Sequence, residues 1–220
     1  MAAAASSTTI CFKDGYAEAT SPNGEWHITS NWTDELCKKA RSIMFKDPGI
    51  PYPKPETPDV NKKIRSAQEK MMAPVPIRIT RFAILDKTRV KVIGECGLEF
   101  DDKDPKKMTI DCMIDSDYRR KGIAKWLINL LFREYLPAVK FPVYTPDQKD
   151  LPWNKKTAGT LVDAASVPVS AIVHNNNKPS QALLEAHKFN GGVDWVYAGD
   201  TTYTVYELTC EQFQERNKAP

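Results

Sequence analysis

The spacing of apolar residues changes character several times along the chain. Ile77 to Leu85 runs Ile-x-Ile-x-x-Phe-x-Ile, and Val90 to Phe100 is again strand-like. Asp101-Asp102-Lys103-Asp104-Pro105 makes the turn to Met108–Ile114, a short run with β-branched residues. These three strands are expected to form an antiparallel meander. After Asp115-Ser116-Asp117 come Arg119-Arg120-Lys121-Gly122, and from Ile123 the apolar spacing becomes helical. A strand, a basic glycine-bearing turn and a helix therefore stand in sequence at the centre of the chain.

Upstream, Ile10–Thr20 with Asp14-Gly15 suggests a small hairpin, and Glu25–Thr29 reads as the first strand of the main sheet. Thr33 is a good N-cap, with Asp34 and Glu35 in the first turn. Leu36, Ala40, Ile43 and Met44 share one face of a helix ending near Lys46. Prolines at 48, 51, 53, 55 and 58 make Asp47–Val60 a loop, and a mostly polar helix is expected over Asn61–Met72.

Downstream, 145–168 is an insert longer than its connection needs. Val167–Val173 is expected to lie beside Met108–Ile114 and splay from it. A helix over Pro179–His187, a Val193–Tyr197 and Thr202–Leu208 hairpin about Gly199-Asp200, and a short polar tail follow. The alternation predicts an α/β fold: one mixed, mostly antiparallel sheet of about seven strands, with helices on both faces. The expected domain is 10–210, between a flexible tail at 1–9 and a second tail at 211–220.

Composition narrows the function classes. The 220 residues are 41% hydrophobic and 27% charged, with apolar runs too short to span a bilayer, so no membrane partner is expected. A net charge of +3 without a basic stripe outside the Arg119 turn gives no reason to expect nucleic acid. Cys11, Cys37, Cys96, Cys112 and Cys210 are odd in number and contain no C-x-x-C pair, which favours reduced thiols in a cytoplasmic protein over a disulfide framework or metal site. Met1–Thr9 lacks the basic and apolar regions of a targeting peptide.

The central turn has chemistry of its own. Backbone N–H groups at a helix start lack intrahelical partners and sit at the positive end of the helix dipole, so they can hold a diphosphate. Gly122 removes a side chain from the approach, and Arg119, Arg120 and Lys121 add positive charge.

Arg119-Arg120-Lys121-Gly122-Ile123-Ala124 resembles the Q/R-x-x-G-x-G/A acyl-CoA-binding motif of the GCN5-related N-acetyltransferases (GNAT). In the correct order, Asn177-Lys178-Pro179-Ser180-Gln181-Ala182-Leu183-Leu184-Glu185-Ala186-His187-Lys188-Phe189 is similar to the family's N-x-x-S-x-x-V-L-E-K-x-G-F segment, and its Ser and Leu-Glu pair resemble the RimJ/RimL branch. The resemblance covers about Ile93–Leu208. It implies an N-acetyltransferase that takes acetyl-CoA and an amine-bearing acceptor and needs no metal; an exposed final strand allows a homodimer as well as a monomer.

By the same resemblance, Arg119, Arg120, Lys121, Gly122, Ile123 and Ala124 hold the diphosphate, and Met113 and Ile114 offer backbone groups to pantetheine as a peptide would extend a sheet. Asn177 and Ser180 contact the pantetheine or thioester end, or one of them caps the following helix. In the family the region between the first two helices lines the acceptor pocket, which makes Asp47–Val60 the place to look for selectivity; the alternative is a surface loop that its prolines simply stiffen.

Acyl transfer needs a route for the amine proton, donors for the tetrahedral oxyanion and an acid or water for the thiolate. Three positions depart from the family pattern. Leu184 stands where many members carry a Tyr acid, Lys188 replaces the motif's Gly, and Thr109 occupies a position often acidic in relatives. The candidates that remain are His174, Asp111, Ser180, Glu95 and Tyr144, beside direct attack with water taking the proton. Cys112 is expected to be a small core residue rather than a nucleophile. A small-molecule acceptor is favoured; the alternatives are a protein amino terminus and an acyl-CoA-binding module without catalysis.

Overall fold

The computed structural model describes residues 8–14, 16–44, 79–100, 107–142, 160–197 and 201–216. The proline-rich loop, the Asn61–Met72 helix, the Asp101–Pro105 turn, Tyr144, the first part of the insert and the Gly199-Asp200 turn lie outside them.

The backbone divides into two compact units, Met1–Gly97 with Cys112–Trp126, and Leu98–Asp111 with Leu127–Pro220. In the first, β1 (Cys11–Lys13) and β2 (Tyr16–Thr20) form the expected hairpin. β2 continues to β3 (Trp26–Thr29), and β3 pairs antiparallel with β4 (Ile79–Asp86), Ile28 opposite Ile84. β5 (Val92–Phe100) and β6 (Met108–Ile114) follow in order. Helix α1 (Asp34–Met44) starts where Thr33 Oγ1 accepts the Leu36 amide at 3.2 Å. Its apolar face buries Cys37, Ala40 and Ile43 against Ala83, Leu85 and Val92, and Trp32 joins that core while donating Nε1–H to the Arg81 carbonyl at 2.8 Å.

Helix α2 opens at Ile123–Leu130. In the second unit its continuation widens to a π turn at Leu131–Tyr135 and closes at Leu136–Ala138. Pro137 has no N–H for the Arg133 carbonyl, and the Leu136 amide bonds back five residues to Leu131. The insert ends in structure: β7 (Lys140–Pro142) pairs antiparallel with β8 (Leu161–Asp163), which runs into a 3-10 turn at Ala164–Ser166.

β9 (Val169–His174) pairs parallel with the start of β6 at Met108↔Val169 and Thr109↔Ser170. β11 (Thr201–Leu208) lies antiparallel to β9, and β10 (Asn190–Tyr197) to β11. Helix α3 (Lys178–Ala186) joins β9 to β10. The C-terminal helix α4 (Cys210–Arg216) buries Phe213 completely, stacked on Phe132 at 4.9 Å between ring centroids and on His187 at 6.1 Å. Phe213, within the expected polar tail, is thus a core residue of this unit.

The expected α/β class holds, as a mixed, mostly antiparallel sheet with helices. Among the described residues nine strands share the main ladder order, where about seven were expected: β1 and β2 extend it ahead of β3. Among the described residues no helix is long and apolar enough to cross a membrane.

Candidate functional site

In the first unit, the end of β6 is fixed by the Asp115 amide donating to the Ile93 carbonyl at 2.9 Å. Asp115, buried, then caps a single 3-10 turn, Ser116–Tyr118, by accepting the Asp117 amide at 3.0 Å. Arg119 reaches back and donates Nε–H to the Ile114 carbonyl at 2.9 Å.

The chain reverses through two left-handed residues, Arg120 at φ 62° and Gly122 at φ 85°. A Cβ at Gly122 would meet only Trp26 Cη2, at 3.9 Å, so the backbone conformation and not crowding calls for glycine. The Gly122 carbonyl accepts the Trp126 amide at 2.9 Å and begins α2, whose first-turn amides have no partner in the helix.

Arg119, Arg120, Lys121 and Gly122 are all exposed. Three cations, helix-start amides and open space over a glycine fit an anionic group such as a diphosphate. At Gly94 in β5, an added Cβ would collide with the Met113 carbonyl oxygen, so this glycine lets the β5 backbone come against Met113–Ile114.

Tyr118 and the residues that the fold brings to it and to Trp126 are not legible from the motif. Tyr118 has two ammonium groups over its ring, Lys91 Nζ at 4.7 Å and Lys121 Nζ at 4.6 Å from the centroid. Its hydrogen bond to Lys91 outweighs desolvation and, with the charges of Asp115 and Asp117, raises the pKa of that lysine. Trp26 packs on Trp126 with centroids 6.2 Å apart, and Trp126 Nε1 donates to Thr8 Oγ1 at 3.3 Å, which ties down part of the expected N-terminal tail.

Asp111, His174, Asn177 and Ser180 belong to the second unit. Asn177 is the N-cap of α3, its Oδ1 accepting the Ser180 amide at 3.3 Å, with Pro179 in the first turn. His174 closes β9 with its ring edge-on to Tyr203 at 5.3 Å. Its Nδ1 accepts the Asn176 amide at 3.0 Å, which in the neutral ring leaves the proton on Nε2. A base with its free nitrogen already engaged accepts no substrate proton there, whereas Nε2–H is available as a donor. Asn175, next in the chain, receives the Thr204 hydroxyl at 2.8 Å and the Gln181 side chain at 3.3 Å.

Asp111 is exposed on β6. Cys112, expected in the core, is exposed as well: the strand loses its in-and-out alternation here, three residues beyond the last pair with β9. Glu95 is buried in β5, with Oε1 accepting from Arg81 at 3.3 Å.

The departures from the family motif also have locations. Leu184 is a core residue on the inner face of α3 and supplies no proton. Lys188, at φ 65°, sits where the helix terminates left-handed, with the Phe189 amide returning to the Leu184 carbonyl at 3.0 Å. That geometry explains why the motif has glycine there. Arg216 braces the Lys188 carbonyl at 2.6 Å. Among the described residues no three His, Cys, Asp or Glu side chains gather to hold a metal ion.

Residues 44–144 match the model of the acetyltransferase (GNAT) family. Solved structures share the fold at low identity. A GnaT-family acetyltransferase from Bordetella pertussis is 15% identical, covering 90% of this chain and 98% of that one at a TM-score of 0.53. The spermidine/spermine N-acetyltransferase SpeG of Vibrio cholerae, solved with manganese ions, is 13% identical over 89% of this chain and 99% of that one, TM-score 0.55. A Bacillus halodurans protein described as uncharacterized is 11% identical over 96% and 94%, TM-score 0.58. A search of the curated proteins found no match.

Proposed function

We propose that this chain is a GNAT-type acyltransferase, a reading supported by its fold and by the family match over residues 44–144, and that it moves acetyl from acetyl-CoA to a primary amine of a small molecule by direct attack in a ternary complex. The observation that carries the cofactor half is the turn from Arg119 to Ala124: exposed cations, left-handed Arg120 and Gly122, and the start of α2. Arg119 and Arg120 neutralise the diphosphate, with Lys121 beside it over the Tyr118 ring, and the amides through Ile123 and Ala124 bind its oxygens. The Met113 and Ile114 backbone pairs with the pantetheine amides. Asn177 and Ser180 serve the thioester end, in the RimJ/RimL-like segment.

The neutral amine attacks the thioester carbonyl, an oxyanion forms, and the C–S bond breaks to give the amide and CoA thiol. The ammonium proton leaves to water or a carboxylate, for which Asp111 is the exposed candidate. His174, donating from Nε2, and Ser180 are candidates for hydrogen-bonding the leaving sulfur. Positioning contributes much of the rate in such a transfer, so loss of one of these groups lowers kcat without abolishing it.

The test is CoA-thiol release against amino acids, polyamines, arylalkylamines, aminosugars and short peptides. Release driven by a small amine supports the reading. Release with peptides alone moves the acceptor to a protein amino terminus, and tight acetyl-CoA binding without release under any amine makes the protein a sensor.

A further inference from the structure

We propose that Lys91, Tyr118 and Lys121 form a second phosphate seat beside the turn, which takes the ribose 3′-phosphate of CoA. The proposal rests on the acetyl-CoA reading above. Lys91 is separated from the turn by all of β5 and β6 in the chain. It comes from the tight turn 87–91, where its backbone is held by Asp86: the Asp86 amide donates to the Lys91 carbonyl at 3.0 Å, and Asp86 Oδ1 accepts the Lys91 amide at 3.4 Å. Lys121 comes from the basic turn. Both ammonium groups rest over the one ring of Tyr118, at 4.7 and 4.6 Å.

An aromatic ring attracts a cation through its quadrupole but carries no charge to neutralise it. Two like charges gathered on one ring repel each other. Asp115 is buried and spent on capping its 3-10 turn, and among the described residues neither lysine has a carboxylate within 4.0 Å. Asp115 and Asp117 act on Lys91 from further away, and neither closes on it, which leaves both ammonium groups open to a ligand anion.

The ring also restricts two side chains that would otherwise sample many rotamers, which lowers the entropy lost when both engage one ligand group. The diphosphate already has Arg119, Arg120 and the helix amides. CoA carries one further phosphate, a monoester with close to two charges at neutral pH, and it is the group that a pair of ammonium ions suits.

Calorimetry with acetyl-CoA and with acetyl-dephospho-CoA, which lacks only that phosphate, tests the assignment. Lys91→Ala is expected to weaken acetyl-CoA binding about fivefold at low salt and to leave acetyl-dephospho-CoA unchanged. Tyr118→Leu, which removes no charge, is expected to reproduce the selective loss by releasing both lysines. Unchanged acetyl-CoA affinity in both variants, or equal losses on the two ligands, overturns the proposal. Gly122→Asp is measured alongside. If it weakens binding about thirtyfold while the Lys91 and Tyr118 variants bind normally, only the second seat is wrong; if it too binds normally, the cofactor reading falls and the seat with it.

Discussion

Gly122 separates backbone geometry from charge. Its φ of 85° lies in the region that L-residues avoid, at a penalty of about 1 kcal/mol. A Cβ there finds only Trp26 Cη2, at 3.9 Å, so Gly122→Ala adds no collision. For a chain of 220 residues that penalty corresponds to a Tm lower by about 2–4 °C. Gly122→Asp carries a similar strain and adds a negative charge. At about 5 Å and an effective dielectric of about 20, one such charge repels each phosphate charge by about 3 kcal/mol. Solvent and salt at an exposed turn reduce this to about 2 kcal/mol, or about thirtyfold in affinity. The assay is calorimetric titration of acetyl-CoA into both variants at low and high salt, with circular dichroism to confirm the fold. Alanine is expected to bind within a few-fold of the parent, aspartate about thirtyfold more weakly than alanine, and the gap should narrow with salt. Equal affinities in the two variants would refute the placement of an anion at this turn.

Three further predictions concern the scaffold. Lys188→Gly should raise stability by about 0.5 kcal/mol, because relief of the left-handed strain exceeds the extra chain entropy of glycine; denaturant unfolding reads it, and a lower midpoint would contradict it. Phe213→Ala removes a fully buried ring stacked on Phe132 and should cost about 3–5 kcal/mol, a Tm drop of about 10 °C, whereas a shift near zero would mean that α4 does not anchor its unit. His27 is buried beside Thr20, with its pKa lowered by burial first and by Arg89 second, against an opposing pull from Glu18. The unfolded chain therefore binds this proton more readily, and stability present above pH 6.5 should fall as the pH drops below it. His27→Gln should flatten that slope in urea titrations between pH 5 and pH 7.5.

Local signals made much of this architecture legible. The period-two strands around β4 and β5, the Thr33 cap and the change from strand to helix at Gly122 each depend on neighbours in the chain, and each appears where its pattern stands. Asn177 fits either a ligand residue or a cap by sequence; the structure makes it a cap, with its backbone N–H donating to the His174 carbonyl and its carbonyl accepting the Gln181 amide, so only its side-chain NH2 is left for a ligand. What the sequence concealed is non-local. Lys91 and Tyr118 are ordinary surface residues until the 87–91 turn and the basic turn are placed together. Phe213 is a single apolar residue in a polar tail, with no periodicity to announce that it completes a core. His174 was attractive as a base from residue type alone, and only the bond from the Asn176 amide shows which nitrogen is available. Cys112 misled because strict alternation was assumed through a strand that loses it.

The measurement that bears most directly on the central claim is amine-dependent release of CoA thiol from acetyl-CoA, compared between the parent protein and Gly122→Asp. The account predicts that at least one small primary amine accelerates release in the parent, and that Gly122→Asp loses this rate at acetyl-CoA concentrations that saturate the parent. Release unchanged in Gly122→Asp, or no release with any amine together with no binding of acetyl-CoA, would contradict it.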